Sequence, residues 1–182
     1  MEGMERMNSL GHKQAGYICG ASTGVLLNLP AWECILVGAL ATVTAGGKTS
    51  PDFDQTKTYR ILLPKALEGH RKLTHWWGWP VLLLLAIIVY WYLFRPENWW
   101  LIVYSALLLG WASHIAIDWI FGGAGYGRGA GVPMTPLGNH RGLLGHRHGF
   151  KSNGKLAKAM ERVIFPALCV GITSVIAIKT IL

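Results

Sequence analysis

The stretch "WWLIVYSALLLGWASHIAIDWIF" (99–121) decides how the chain is read. It is 23 residues of almost unbroken apolar sequence, enough to cross a hydrocarbon core about 30 Å thick as a helix. It nevertheless carries an imidazole and a carboxylate, His114 and Asp118, spaced four apart. On a helix that spacing puts both on one face. With a rise of about 1.5 Å per residue from Trp99, His114 lies roughly 22 Å along and Asp118 roughly 28 Å along, both close to the far boundary.

Other blocks of the same kind surround it. "GWPVLLLLAIIVYWYLF" (78–94) and "RVIFPALCVGITSVIAIKTIL" (162–182) approach or exceed a bilayer crossing, and "AWECILVGALATVTAGG" (31–47) is slightly short of one. "AGYICGASTGVLLNL" (15–29) is weaker, and rich in the small residues of helices packed inside a membrane bundle. The sequence therefore predicts an all-α, polytopic membrane bundle forming one domain over 1–182. Its five transmembrane helices fall near 12–29, 31–47, 77–95, 99–121 and 160–181, with loops at 48–76 and 122–159. His12 and Lys13 open the first segment, without the charged-then-apolar order or cleavage site of a removable signal peptide. Trp76, Trp77, Trp79, Tyr90, Trp91, Tyr92, Trp99 and Trp100 mark the lipid boundaries. Cys19, Cys34 and Cys169 are an odd number within apolar segments, which argues for small buried hydrophobes and against disulfides.

The formal charge of +8 suggests nucleic acid until its residues are placed. Fifteen of the seventeen lysines and arginines fall in the N-terminus and in the loops after the second and fourth helices. A five-helix topology puts those three regions on one side and leaves Arg95 and Lys179 on the other. The positive-inside rule then sets the N-terminus in the cytoplasm and the C-terminus outside. No nucleic-acid partner is expected.

The unusual polar residues gather on that same side. His12 opens the first helix, "SPDFDQ" (50–55) follows the second with Asp52 and Asp54, and "GHRKLTHW" (69–76) brings His70 and His75 ahead of the third. Each motif has an ordinary reading alone: a hydrogen-bonded pair for HxxxD, a turn or cap for "PDFD", an interfacial basic patch for "HRKLTH". Together they read differently. An intramembrane Asp costs about 2.5–3.5 kcal/mol at the helix centre, and less near the interface, so a partner is expected. Imidazole and carboxylate without thiolate suit zinc or a similar divalent ion. His12, Asp52, Asp54, His70, His75, His114 and Asp118 could hold one or two such ions, zinc first, with manganese or another transition metal as alternatives.

The order Gly11-His12, "PDFD", "GHRKLTH", "GWASHIAID", then a Gly-rich turn and "GVPMTPLG" resembles the YdjM family, over roughly residues 10–138. That resemblance implies a metal-dependent hydrolase of the bacterial inner membrane, of a type in part controlled by the DNA-damage repressor. The chain departs from the family pattern at Trp76, where Ser is usual, at Gln55, where His is common, and at Ile120-Phe121, where Leu-Thr is usual. None of these is a candidate ligand. A more distant similarity is to zinc-dependent phospholipase C, through His12, Asp52 or Asp54, His70 or His75, and His114 with Asp118. Those enzymes are soluble and use an N-terminal amine that this chain lacks in place.

These readings imply a phosphoester hydrolase acting at the cytoplasmic headgroup level on a lipid or lipid-linked substrate. Asp54 is the expected general base, Arg71 the phosphate contact, and Thr74 and Ser113 the hydrogen-bond partners behind the ligands. In "NHRGLLGHRHGFKSNGK" (139–155), Arg141, His146, Arg147 and His148 read first as an interfacial run drawn to anionic lipid. The alternative is a phosphate-gripping lid or further ligands. Two other function classes use the same cluster: a transporter or ion pathway, and a noncatalytic adaptor stabilised by metal. The transporter reading lacks a polar route, because the opposite half offers only Glu33, Arg95, Glu97 and Lys179.

Overall fold

The computed structural model describes residues 9–47, 49–55, 73–94, 98–121, 132–135, 138–141 and 158–181. Among them are five helices: α1 (Ser9–Leu26), α2 (Ala31–Ala45), α3 (Gly78–Phe94), α4 (Asn98–Phe121) and α5 (Phe165–Ile181). A π-helical turn, Met160–Ile164, runs into α5. The protein is a helical membrane bundle of the all-α class, with one short hairpin in a loop. Trp99–Ile120 and Met160–Ile181 are long and apolar enough to cross a membrane, while Ala31–Ala45 and Gly78–Phe94 are shorter apolar helices.

The tightest packing is between α1 and α2, and small residues make it possible. Gly16, Gly20 and Gly24 form a stripe at i, i+4 spacing along α1. A Cβ on Gly20 would come within 2.6 Å of the Val37 carbonyl oxygen, and one on Gly24 within 2.9 Å of Cys34 Cα. On Gly16 it would meet the Cβ of Ala45. Asn28 turns the chain between the two helices in the left-handed region (φ 56°), which Asn tolerates better than most residues. Pro30, lacking an N–H, then opens α2.

Helix α4 lies against both α1 and α2. Gly110 permits its approach: a Cβ there would run into the Ala41 carbonyl and Thr44 Oγ1. Thr44 in turn donates to the Leu107 carbonyl. Helix α5 closes the bundle. Phe165 packs with Ala15 and Ile117, and Ile176 with Ala21 and Cys34. Lys179 Nζ donates to the Leu29 carbonyl at 2.7 Å, so α5 finishes beside the α1–α2 turn. That turn is at the opposite end of the bundle from His12 and Ala45. Cys19, Cys34 and Cys169 are all unpaired thiols.

Two parts of the loops differ from plain coil. "PDFDQ" and "LTH" form 3-10 turns, Pro51–Gln55 and Leu73–His75. Within the long loop that the sequence assigned no regular structure, β1 (Val132–Thr135) and β2 (Gly138–Arg141) pair antiparallel, with Thr135 opposite Gly138. The β-branched Val132 and Thr135 favour extended backbone, and a hairpin needs only local partners to form. Side-chain periodicity over so few residues gives little warning of it.

Candidate metal centre

Four separate elements bring in the five candidate ligands. His12 lies in the first turns of α1 and is buried. After α2, Gly47 adopts φ 90° and turns the chain. Ser50, fully buried, then holds the next turn: its hydroxyl donates to the Gly47 carbonyl at 2.7 Å and accepts from the Asp52 N–H at 3.3 Å. This is the N-cap role that Ser before Pro-Asp suits, and it aims Asp52 inward. His75 ends the other 3-10 turn, which Trp79 braces by donating from Nε1 to the Leu73 carbonyl at 2.8 Å. Gly78 leaves room for the Trp76 ring beside it. His114 and Asp118 stand one turn apart on α4.

Four candidate ligand atoms gather around the imidazoles of His75 and His114. His75 Nε2 is 3.2 Å from His114 Nε2, 3.5 Å from Asp52 Oδ1 and 3.3 Å from Asp118 Oδ2. His114 Nε2 is 3.9 Å from Asp52 Oδ1 and 3.6 Å from Asp118 Oδ2. Four ligands held tetrahedrally at about 2.0–2.2 Å from an ion would be about 3.3–3.6 Å from one another. The observed separations scatter around that value. His12 approaches the other carboxylate oxygen, with Nε2 3.9 Å from Asp118 Oδ1, and its ring stacks on His114 at 4.0 Å. Asp118 thus turns one oxygen to His12 and the other to His75 and His114.

Donor accounting points the same way. The Ala45 carbonyl can only accept, so His114 Nδ1, 2.7 Å away, must carry the ring proton. The neutral imidazole then presents a bare Nε2 to the centre. His75 is positioned by Thr74, whose Oγ1 lies 3.0 Å from Nδ1; a hydroxyl can donate or accept, so this contact orients the ring without placing its proton. His75 and His114 are fully buried and Asp118 nearly so. Two carboxylates beside two imidazoles in such a place call for positive charge. Burial pushes the Asp52 carboxyl up, but the hydrogen bond with His75 and the adjacent His114 outweigh it, and the group is held below its ordinary value. The donor set and its spacing therefore fit a divalent ion, and two groups that share His114 could hold one: His12 with His114 and Asp118, and Asp52 with His75 and His114.

The expected residues divide into three groups. His12, Asp52, His75, His114 and Asp118 come together. Thr74 stands behind His75, whereas the Ser113 hydroxyl donates to its own helix, at the Gly110 carbonyl 2.8 Å away. His70, Arg71, His146, Arg147 and His148 lie outside the described residues, as do the side chains of Asp54 and Arg141. Two contributors escaped sequence reading. Ser50 was detectable as a cap residue ahead of Pro-Asp, but the Ala45 carbonyl leaves no mark in sequence, since any residue there supplies one.

No curated protein and no solved structure matches the chain, so the likeness to zinc-dependent phospholipase C rests on motif order alone. The family model described as YdjM inner membrane protein matches residues 7–178, nearly the whole chain and all five converging ligands. The chain, with its cluster of buried histidines and aspartates at one end of a helical bundle, belongs to the YdjM inner membrane protein family.

Proposed function

We propose that this protein is a metal-dependent hydrolase that cleaves a phosphoester of a lipid or lipid-linked substrate at the cytoplasmic face of the inner membrane. The observation that carries the reading is the convergence of His75 Nε2, His114 Nε2, Asp52 Oδ1 and Asp118 Oδ2 at ligand spacing. Zinc suits this donor set best, and the two-sided Asp118 carboxylate allows a second ion beside His12. A bound divalent ion supplies a Lewis acid and a water of lowered pKa.

The chain's own residues do the rest. The Ala45 carbonyl and Thr74 hydroxyl fix the two imidazoles in place. Asp54, two residues beyond Asp52, takes the proton of the attacking water. Arg71 holds the substrate phosphate, and the basic run with Arg141, His146, Arg147 and His148 keeps anionic headgroups near the site. The charge split of the loops supports a cytoplasmic face.

The test begins with metal analysis of the purified protein, followed by turnover on phospholipids, lipid phosphates and a soluble phosphoester. One or two transition-metal ions per chain and chelator-sensitive phosphate release are expected. Asp54→Asn should keep the metal and lose turnover. Metal-free protein that stays monodisperse and folded overturns the reading. An Asp54→Asn variant that keeps both metal and cellular function points to the adaptor, and Asp118-dependent flux in proteoliposomes to the transporter.

A further inference from the structure

The four atoms gathered around His75 and His114 are not equivalent. Three of them sit deep: the side chains of His75 and His114 are 0% exposed and that of Asp118 is 6% exposed. The Asp52 side chain is 31% exposed, against 5% for His12. The three deep atoms also make the tighter set. His75 Nε2, His114 Nε2 and Asp118 Oδ2 are 3.2, 3.3 and 3.6 Å apart. Around an ion with ligands about 2.0–2.2 Å away, such spacings suit three corners of one tetrahedron. Asp52 Oδ1, 3.5 Å from His75 Nε2 and 3.9 Å from His114 Nε2, is left to supply the fourth.

The scaffold divides them in the same way. His114 and Asp118 are built into α4, and the Ala45 carbonyl pins the His114 ring at Nδ1. His75 is flanked at Nδ1 by Thr74. Asp52 comes instead from the five-residue 3-10 turn Pro51–Gln55, outside the helices. A carboxylate released from an ion needs other partners, and in a buried place the lack of them is strongly destabilising. Asp118 is closed off from water, whereas Asp52 can turn to it. An ion here has three ligands that are costly to release and one that water can take up. Catalytic zinc sites are arranged in that way, with three protein groups on the metal and a fourth place that exchanges.

We propose that Asp52 is the exchangeable ligand of this centre: His75, His114 and Asp118 hold the ion, and a phosphate-type oxyanion takes the place of the Asp52 carboxylate. One metal–oxygen bond breaks as another forms, no proton moves, and the displaced carboxylate passes to water. Asp52 thereby caps the centre when no substrate is present, and it competes with each anion that enters. The inference rests on the metal-centre part of the hydrolase reading. It deepens that reading by naming where a substrate oxygen binds and what it displaces. A lipid headgroup and a soluble phosphate both carry the required oxyanion.

The full-length protein, loaded with cobalt(II) in phosphatidylcholine nanodiscs, provides the test, because cobalt absorption reports the ligands around the ion without any turnover. Asp52→Ala should keep the wild-type cobalt content and Asp118→Asn should lose it, both read by elemental analysis. Inorganic phosphate should shift the wild-type spectrum saturably. Asp52→Ala should bind it about tenfold more tightly, because the position no longer has to be vacated. Asp52→Asn keeps the side-chain shape and should fall between the two, and it carries the test if the alanine variant does not fold. A parallel series replaces the added phosphate with phosphatidic acid in the nanodisc. A shift with either probe supports the exchange: phosphatidic acid alone assigns the oxyanion to a lipid headgroup, and free phosphate to a soluble source. A spectrum indifferent to both probes overturns the proposal. So does loss of cobalt from a folded Asp52 variant, or phosphate affinity equal to that of the wild type. Those results leave the hydrolase reading standing. Tighter oxyanion binding without hydrolysis of any phosphoester does the reverse, and a folded wild type that takes up no cobalt overturns both.

Discussion

Helices α2 and α3 are both short and apolar, yet they live in different surroundings. Along α2, Cys34, Val37, Gly38, Ala41 and Ala45 are buried, pressed between α1 and α4. Along α3, Gly78 is the one buried residue among those described, and Leu82, Leu83, Leu84 and Leu85 are all exposed. The reason is side-chain size. Lipid solvates a leucine as well as another leucine does, so large apolar residues gain little by leaving it. Small residues gain by letting backbones approach, which adds dispersion contacts and brings carbonyls within reach. Between these two helices small residues mark the interior and the run of leucines the exterior, although Ile115, Ile117, Phe165 and Ile176 enter the core elsewhere. The candidate metal centre uses the end of that packed helix: Ala45 is the last residue of α2, where a carbonyl without a partner in its own helix meets His114.

Breaking the interior at its ligands should have the largest effect. His114→Ala or Asp118→Ala is expected to abolish stoichiometric metal binding, read by elemental analysis of the purified variant. Thermal unfolding of the wild type with and without chelator should then differ by several degrees, and that difference should vanish in Asp118→Ala, because only the ligand-competent fold gains from the ion. Retention of full metal content by both variants would remove the cluster from consideration.

Gly110→Leu comes next. It forces a side chain onto the Ala41 carbonyl and Thr44 Oγ1, and overpacking of this kind typically costs about 1–3 kcal/mol. The variant should unfold at lower temperature and bind metal more weakly, since α4 carries His114 and α2 carries Ala45. An unchanged melting profile would mean that the α2–α4 contact is looser than described.

Thr74→Val is subtler. It removes the hydroxyl behind His75 Nδ1 while keeping the shape, and loss of such a partner typically weakens metal affinity about 10–100-fold. Competition with a calibrated chelator measures it, and the fold itself should be untouched. The smallest effect is expected on the exterior. Leu85→Ala on the exposed face of α3 should shift stability by no more than about 0.5 kcal/mol and leave metal content unchanged. A large loss there would mean that α3 is covered by another chain, and the contrast with α2 would then narrow.

The sequence by itself determined the helical membrane architecture, because hydrophobic run length and the solvation of backbone groups leave few alternatives in lipid. It also determined which residue types were out of place. His114 and Asp118 were legible as candidate ligands because charge and imidazole are costly in an apolar run, and His12, Asp52 and His75 because their motifs fall on the same loop-rich, basic side. The β1–β2 hairpin was not legible, since four-residue strands carry too little periodicity. Tertiary structure alone decided which atoms meet: that Asp118 turns one oxygen to His12 and the other to His75, that Ala45 supplies the carbonyl behind His114, and that Ser113 serves its own helix. Those outcomes depend on how closely α1, α2 and α4 approach and in what rotation. Spacing along the chain fixes the face a residue occupies, but distances between faces are set by packing, where one missing Cβ at Gly110 counts for more than any motif.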